Sequence, residues 1–125
     1  MVDTLSVEAP IWFAALTMLF TGLTTTFLKE LGAGLWITLP LLLTLTLAIA
    51  LLGQAVGWME GWSYFDSFYW SFVTATTVGY GDIRPAKRWP RAIAIFIAFL
   101  GLILSGIVIA VAVHAATKAL DAIGL

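Results

Sequence analysis

A glycine-containing stretch between two long apolar segments constrains this chain more than any other feature. Residues 76–82 read Thr-Thr-Val-Gly-Tyr-Gly-Asp and follow an aromatic run at residues 64–70. Glycine adopts left-handed conformations at little steric cost, so Gly79 and Gly81 allow left- and right-handed residues to alternate. An ordinary strand alternates the direction of its carbonyls, whereas this alternation turns consecutive carbonyls to one side. The stretch therefore predicts a row of backbone oxygens suited to a dehydrated cation.

The composition places this stretch in a membrane. The chain has 125 residues, enough for one domain, and is 62% hydrophobic and 10% charged, whereas soluble domains are about 25% charged. Without cysteine and with one histidine, it cannot form disulfides, zinc thiolate sites or a histidine metal cluster within one chain. The net charge of −1 argues against nucleic acid as a partner. No carboxylate pair resembles acid–base machinery, so we predict neither enzyme activity nor a cofactor.

The N-terminal part contains the first apolar segment. Residues 1–8 are polar and lack a basic region, so we expect no secretory signal peptide. Residues 9–28 are apolar, with interspersed threonines, and are long enough to cross about 30 Å of hydrocarbon. They form either a membrane-embedded helix or a helix lying in the interface, and the lack of a basic face favours the first. Residues 31–34, Leu-Gly-Ala-Gly, predict a turn.

The second apolar segment, residues 35–57, precedes a short aromatic helix. Pro40 suggests a helix start or a kink. Trp58 and Trp62 follow the end of the segment, and such a pair is typical of an aromatic belt at a membrane face. Residues 65–76 predict a helix of about 18 Å, half the thickness of a bilayer, with Ser63 or Asp66 as its cap. A half-membrane helix followed by non-helical backbone is a re-entrant loop, which needs protein or a water-filled cavity to shield it.

The last apolar segment follows a basic loop. Residues 83–91 hold four of the six basic residues, and Pro90 is placed near a first helical turn. Residues 92–113 are apolar except for Ser105, and residues 114–125 form a short tail. The chain shows no internal repeat. No soluble domain is left over, so we expect a ligand-sensing module, where one exists, to belong to a separate regulatory chain.

Residues 36–116 resemble the two-helix pore domain of potassium channels, most closely the bacterial ones. Residues 70–82, Trp-Ser-Phe-Val-Thr-Ala-Thr-Thr-Val-Gly-Tyr-Gly-Asp, carry the match, and their Thr-Val-Gly-Tyr-Gly core is the established potassium filter sequence. The resemblance implies an all-α membrane protein with an outer helix, a re-entrant pore helix plus selectivity filter, and an inner helix, preceded here by an extra N-terminal apolar helix. Rings of carbonyls need several copies of the chain, and the resemblance implies a homotetramer.

The resemblance divides the chain and assigns its site residues. The expected division is an N-terminal segment at residues 1–34, the pore domain at residues 35–117 and a tail at residues 118–125. Potassium ions would bind carbonyls of the filter, Thr77, Val78, Gly79, Tyr80 and Gly81, and the Thr77 hydroxyl. Residues expected to support the filter are Tyr69, Trp70, Val73, Thr76 and Asp82. Residues expected to line the cavity or the gate are Gly101, Leu102, Ser105, Ile109 and His114.

Two departures from the family pattern follow from the same residues. Several bacterial relatives carry a glutamate at the position of Val73, hydrogen-bonded to the aspartate after the filter. Asp82 must therefore have another partner, and Tyr69 or Trp70 could donate to it. The family's topology also places the basic loop outside, against the usual charge bias. No arginine precedes Arg84, so a voltage-sensing helix of regularly spaced basic residues is not expected.

Several residues have two interpretations. Gly101 and Gly106 can serve as a hinge or allow close helix packing. His114 can be a pH-sensitive gate or a polar residue that ends the apolar span. Glu60 and Asp66 are expected to be surface or capping residues, and they could concentrate cations at the pore mouth.

The sequence thus predicts selective, passive potassium conduction by a multi-pass protein of the cell membrane, expected to be a prokaryotic plasma membrane. The alternatives are a less selective cation channel and a non-conducting structural or regulatory subunit. The partners predicted with this function are potassium ions, the lipid bilayer and further copies of the chain.

Overall fold

The computed structural model describes residues 10–124, and within that range the secondary structure is helical. The helices are α1 (Ile11–Glu60), α2 (Tyr64–Ala75) and α3 (Arg88–Ala122). Each helix contacts the other two. The predicted polar segment at residues 1–8, Ala9 at the start of the first apolar segment, and the last tail residue, Leu125, lie outside the described residues. The all-helical prediction is confirmed.

The prediction of a separate N-terminal helix is wrong, as is the predicted turn at residues 31–34. α1 is one helix of 50 residues, about 75 Å long. A glycine inside a helix costs only about 1 kcal/mol, and Gly32 and Gly34 are not among the residues with positive φ. Pro40 lies inside α1 and so does not start a helix, in line with the tolerance of membrane helices for proline.

The short helix α2 forms within one residue of its predicted bounds. Its N-cap is Ser63, whose side chain accepts a hydrogen bond from the backbone N–H of Asp66 at 3.1 Å. Asp66 lies in the first turn, where a negative charge is favoured by the helix dipole. One face of α2 is buried, and it consists of Ser67, Trp70, Ser71 and Ala75.

Small residues bring α1 and α2 into close contact. A Cβ atom on Gly57 would lie 1.7 Å from the Ser67 Oγ, and one on Gly53 would lie 2.3 Å from the Ser71 Cβ. Both serine hydroxyls donate to carbonyls of their own helix, Ser67 to Ser63 at 2.7 Å and Ser71 to Phe68 at 2.8 Å. Sequence reasoning missed this contact, although the Gly-x-x-x-Gly spacing at residues 53–57 is a known signal of close packing in membranes.

Replacing Gly57 by alanine should therefore destabilise the protein. The added methyl group overlaps the Ser67 side chain, and such overpacking costs about 1–3 kcal/mol. Gly32→Ala is the matched control, because no described atom lies within 4 Å of a Cβ atom at Gly32. Thermal unfolding in detergent compares the two variants. Equal melting temperatures would show that the α1–α2 contact does not require glycine.

α3 starts close to its prediction and extends further than expected. Pro90 lies in its first turn, as predicted, and the helix continues through residues 114–122, which the sequence assigned to the tail. α1 and α3 therefore run without a break across both expected domain boundaries, 34/35 and 117/118. Both helices are long and apolar enough to cross a membrane.

The buried core lies where the three helices meet. It consists of Ile49, Val56, Trp70, Ala75 and Ile97. Most other large apolar side chains are exposed, including Trp36 and Trp58 on α1 and Phe99 on α3. A surface this apolar requires lipid or other protein around it.

Candidate functional site

The glycine-containing stretch follows α2 directly and alternates in handedness. The φ angle is positive at Thr77 (62°), Gly79 (54°) and Gly81 (78°), but not at Val78 or Tyr80. Thr77 is the one non-glycine residue with positive φ among the described residues. For a β-branched residue this conformation is an outlier and costs about 1–2 kcal/mol. The alternation that two glycines predicted is present, and it extends to a threonine that carries no such signal.

The last turn of α2 holds the start of this stretch. The Val73 carbonyl accepts hydrogen bonds from the backbone N–H groups of Val78 at 3.1 Å and Gly79 at 3.2 Å, and Thr77 N–H donates to the Thr74 carbonyl at 3.0 Å. The Thr76 hydroxyl donates to the Phe72 carbonyl at 2.7 Å. The stretch therefore begins at the C-terminal end of α2, where the helix dipole places partial negative charge.

Asp82, at the other end of the stretch, is held by a tyrosine. The Tyr69 hydroxyl donates to the Asp82 Oδ2 at 3.0 Å. Trp70, the other predicted donor, is 5% exposed and packs edge to face against Trp62, with ring centroids 5.3 Å apart. The hydrogen bond to Asp82 is the main cause that raises the pKa of Tyr69, and desolvation and the Asp82 charge add to it.

Replacing Tyr69 by phenylalanine should release Asp82 and reduce ion flux. The raised pKa means that the stabilisation by this hydrogen bond is complete below the unfolded-state value, near 10. It is lost as the pH rises through the folded-state value. Loss of this hydrogen bond should therefore lower the flux through the wild type only above about pH 10. Tyr69→Phe should lack this alkaline step, while Tyr64→Phe, which changes an exposed tyrosine, should keep it. An alkaline step retained in Tyr69→Phe would contradict this role.

A second set of contacts fastens the loop after the stretch. The Glu60 Oε1 accepts from the backbone N–H groups of Ala86 at 3.1 Å and Lys87 at 2.9 Å. The Lys87 ammonium group donates to the Met59 carbonyl, and the Arg91 Nε donates to the Pro85 carbonyl at 3.1 Å. Glu60 thus ties the two residues that precede α3 to the end of α1. No local pattern signals this contact, because 26 residues separate its partners.

Of the predicted cavity and gate residues, Gly101 lies against the end of α2. A Cβ atom on Gly101 would lie 1.9 Å from the Ala75 carbonyl oxygen, whereas at Gly106 no described atom lies within 4 Å. The packing interpretation therefore accounts for Gly101 and not for Gly106 within one chain. The remaining four residues are exposed along α3, and they are Leu102, Ser105, Ile109 and His114.

The groups that this stretch can offer to a cation are backbone carbonyl oxygens and the Thr77 hydroxyl. Among the described residues, no group of three or more histidine, cysteine or acidic side chains could hold a metal ion. Carbonyl oxygens and the Thr77 hydroxyl are neutral ligands, which suit a weakly bound cation that must leave again.

Comparisons with known proteins also indicate an ion channel. A family model described as "Ion channel" matches residues 37–118. The chain is 42% identical over 66 residues to TWiK family of potassium channels protein 7 of Caenorhabditis elegans, covering 49% of this chain and 12% of that protein. It is 48% identical over 40 residues to a voltage-gated potassium channel of Aeropyrum pernix, covering 32% of this chain and 14% of that protein.

A longer match joins the chain to human potassium channel subfamily K member 16, at 33% identity over 82 residues, 60% of this chain and 25% of that protein. The chain thus spans a quarter or less of the length of these curated relatives. No solved structure matches it significantly.

Proposed function

Because this chain belongs to the ion channel family whose model covers residues 37–118, we propose that it conducts potassium ions selectively and passively across a membrane. The observation that carries the proposal is the alternating handedness of residues 77–81 within the sequence Thr-Val-Gly-Tyr-Gly. The relatives named as potassium channels support it. α2 is the pore helix in this proposal, residues 77–81 are the filter, and α1 and α3 are the outer and inner helices.

The chemistry of the proposed filter is the replacement of water by carbonyl oxygen. A potassium ion would lose its hydration shell to carbonyls of Thr77, Val78, Gly79 and Tyr80, with the Thr77 hydroxyl as a further ligand. Repulsion between ions in adjacent sites would move them onward. The negative end of the α2 dipole would favour a cation at the filter entrance.

One chain supplies one wall of such a filter, so we propose a homotetramer with cyclic symmetry. The exposure of filter side chains, 52% for Val78 and 71% for Tyr80, leaves surface for neighbouring copies. With those copies in place, Tyr69, Trp70 and Tyr80 would form an aromatic cuff behind the filter.

In this proposal α3 lines the ion pathway beyond the filter. Leu102, Ser105 and Ile109 share one face of α3 and would line a water-filled cavity leading to a gate near His114. The protein would be a multi-pass protein of the cell membrane, and the bacterial resemblance favours a prokaryotic one. A separate regulatory chain could supply the gating stimulus.

Flux from purified protein in liposomes tests the function. Liposomes loaded with potassium and diluted into sodium should take up a tracer cation when they contain the protein, and empty liposomes should not. The absence of flux from the pure protein would overturn the proposal and favour a non-conducting subunit.

A further inference from the structure

A groove between α1 and α3 opens on the side of α3 that faces away from the proposed ion pathway. The groove has a volume of about 340 Å³, and its lining includes Gly34 and Thr38 from α1 and Ile107, Ala110, Val111 and His114 from α3. The helical period places Ile107 and Val111 opposite Ile109, one of the residues that would line the cavity. In the proposed tetramer the groove therefore opens toward lipid, and this step rests on the proposed function.

The groove is apolar and lies at the depth of the hydrocarbon. The Thr38 hydroxyl donates to the Gly34 carbonyl at 2.8 Å, so it is satisfied within its own helix. α1 has no charged residue between Glu30 and Glu60, a length of about 45 Å. This is close to the thickness of a bilayer with its headgroups, about 40–45 Å. The groove begins just inside Glu30, next to the headgroups.

Along α3, the groove leads to polar and then to charged residues. His114, Lys118 and Asp121 follow Val111 at intervals of three or four residues, and residues at such intervals share one helix face. All three side chains are exposed. They lie about 5, 10 and 15 Å beyond Val111 along the helix axis, so a basic and then an acidic group follow the apolar lining.

α1 adds a second acidic residue at this end of the groove. Glu30 lies four residues before Gly34 and shares its helix face, whereas Lys29 points to a different side. A Cβ atom on Gly34 would lie 2.6 Å from the Val111 Cγ1, and this contact between antiparallel helices places Glu30 near the level of His114. The end of the groove thus presents basic and acidic groups together, which suits a ligand that carries both charges.

We propose that the groove and the charged residues at its end bind a phosphatidylethanolamine lipid. One acyl chain fills the groove between the helices. The phosphate accepts hydrogen bonds from the Lys118 ammonium group and the His114 imidazole N–H, and the protonated amine donates to the Asp121 carboxylate. The order along α3, which is apolar, basic and then acidic, is the order of acyl chain, phosphate and amine in this lipid.

The headgroup, rather than the acyl chain, selects the lipid. Acyl chains surround a membrane protein on all sides, and moving one into an apolar groove brings no hydrophobic gain. Phosphatidylcholine carries a trimethylated amine that cannot donate a hydrogen bond to Asp121. Phosphatidylglycerol lacks the amine and would bring a net negative charge close to Glu30 and Asp121.

Native mass spectrometry of the purified protein in detergent tests the proposal. The probes are phosphatidylethanolamine, phosphatidylcholine and phosphatidylglycerol with identical acyl chains. We expect phosphatidylethanolamine to bind roughly fivefold more tightly than either of the others, the effect of one exposed charge pair. Asp121→Asn should remove the preference over phosphatidylcholine. Asp66→Asn, which neutralises a carboxylate in the first turn of α2, should keep it.

A second pair of variants locates the acyl chain. Ala110→Phe fills the groove from an exposed position and should weaken the binding of all three lipids. Ala55→Phe enlarges an exposed side chain in the other half of α1 and should leave binding unchanged.

Three results would overturn the proposal. Equal binding of the three lipids would show that the charged residues select no headgroup. Tighter binding of phosphatidylglycerol would show a site for anionic lipids instead. Unchanged binding in Ala110→Phe would place the lipid elsewhere. The readout needs no ion flux, so a chain that conducts no potassium could still bind the lipid, and a conducting chain could fail to bind it.

Discussion

Replacing Gly79 by alanine should strongly reduce selective potassium flux while the chain remains folded. Gly79 has a φ angle of 54°, and an alanine in this left-handed conformation costs about 1–2 kcal/mol. In the proposed ring this strain is repeated in every copy, next to the hydrogen bond that Gly79 N–H donates to the Val73 carbonyl at 3.2 Å. Since 1.4 kcal/mol corresponds to a factor of ten, flux should fall roughly tenfold or more.

Gly61→Ala is the matched control for this substitution. Gly61 is the left-handed C-cap of α1 with a φ angle of 81°, and no described atom lies within 4 Å of a Cβ atom at either glycine. The two variants thus introduce the same kind of backbone strain, inside and outside the filter. Liposome flux and thermal unfolding should show similar stability losses and a flux loss confined to Gly79→Ala. Equal flux in the two variants would contradict the assigned filter.

The second large effect is expected at Gly101. The methyl group of an alanine there would lie 1.9 Å from the Ala75 carbonyl oxygen, a backbone atom that cannot rotate away. The end of α2 must move, and it carries Val73, whose carbonyl anchors the filter backbone. We expect a stability loss of about 2–3 kcal/mol together with loss of flux, measured by thermal unfolding and liposome assays.

Gly106→Ala on the same helix separates packing from hinge bending. No described atom lies within 4 Å of a Cβ atom at Gly106, and alanine improves helix propensity by about 1 kcal/mol. This variant should unfold at or above the wild-type temperature. If Gly101→Ala instead kept wild-type stability and changed only the opening of the pore, the hinge interpretation would replace the packing one.

Local chemistry made α2 and the glycine-containing stretch predictable. Ser63 supplies a cap that depends on residues three positions apart, and the glycine spacing permits left-handed backbone whatever the surroundings. The bounds of α2 and the alternating φ angles followed from these signals. For Asp82 the sequence left two aromatic donors, Tyr69 and Trp70. The Tyr69 hydroxyl makes the hydrogen bond, and Trp70 packs against Trp62 instead.

What the sequence did not predict depends on distant contacts. Residues 31–34 read as a turn because glycine weakens helices, yet α1 continues through them, and Gly34 packs closely against Val111 on α3. The contacts of Gly57 with Ser67, and of Glu60 with the backbone of Lys87, join residues whose proximity only the folded chain reveals. The sequence of one chain says even less about how the filter closes into a ring, because closure depends on the surfaces of other copies.

Selection of potassium by residues 77–81 can be measured as a reversal potential. Purified protein in a planar bilayer, with potassium on one side and sodium on the other, should give currents that reverse far from zero, in the direction of the potassium gradient. A tenfold preference for potassium displaces the reversal potential by about 59 mV, and we expect a larger displacement than that. Currents that reverse near zero would show a non-selective pore and contradict it.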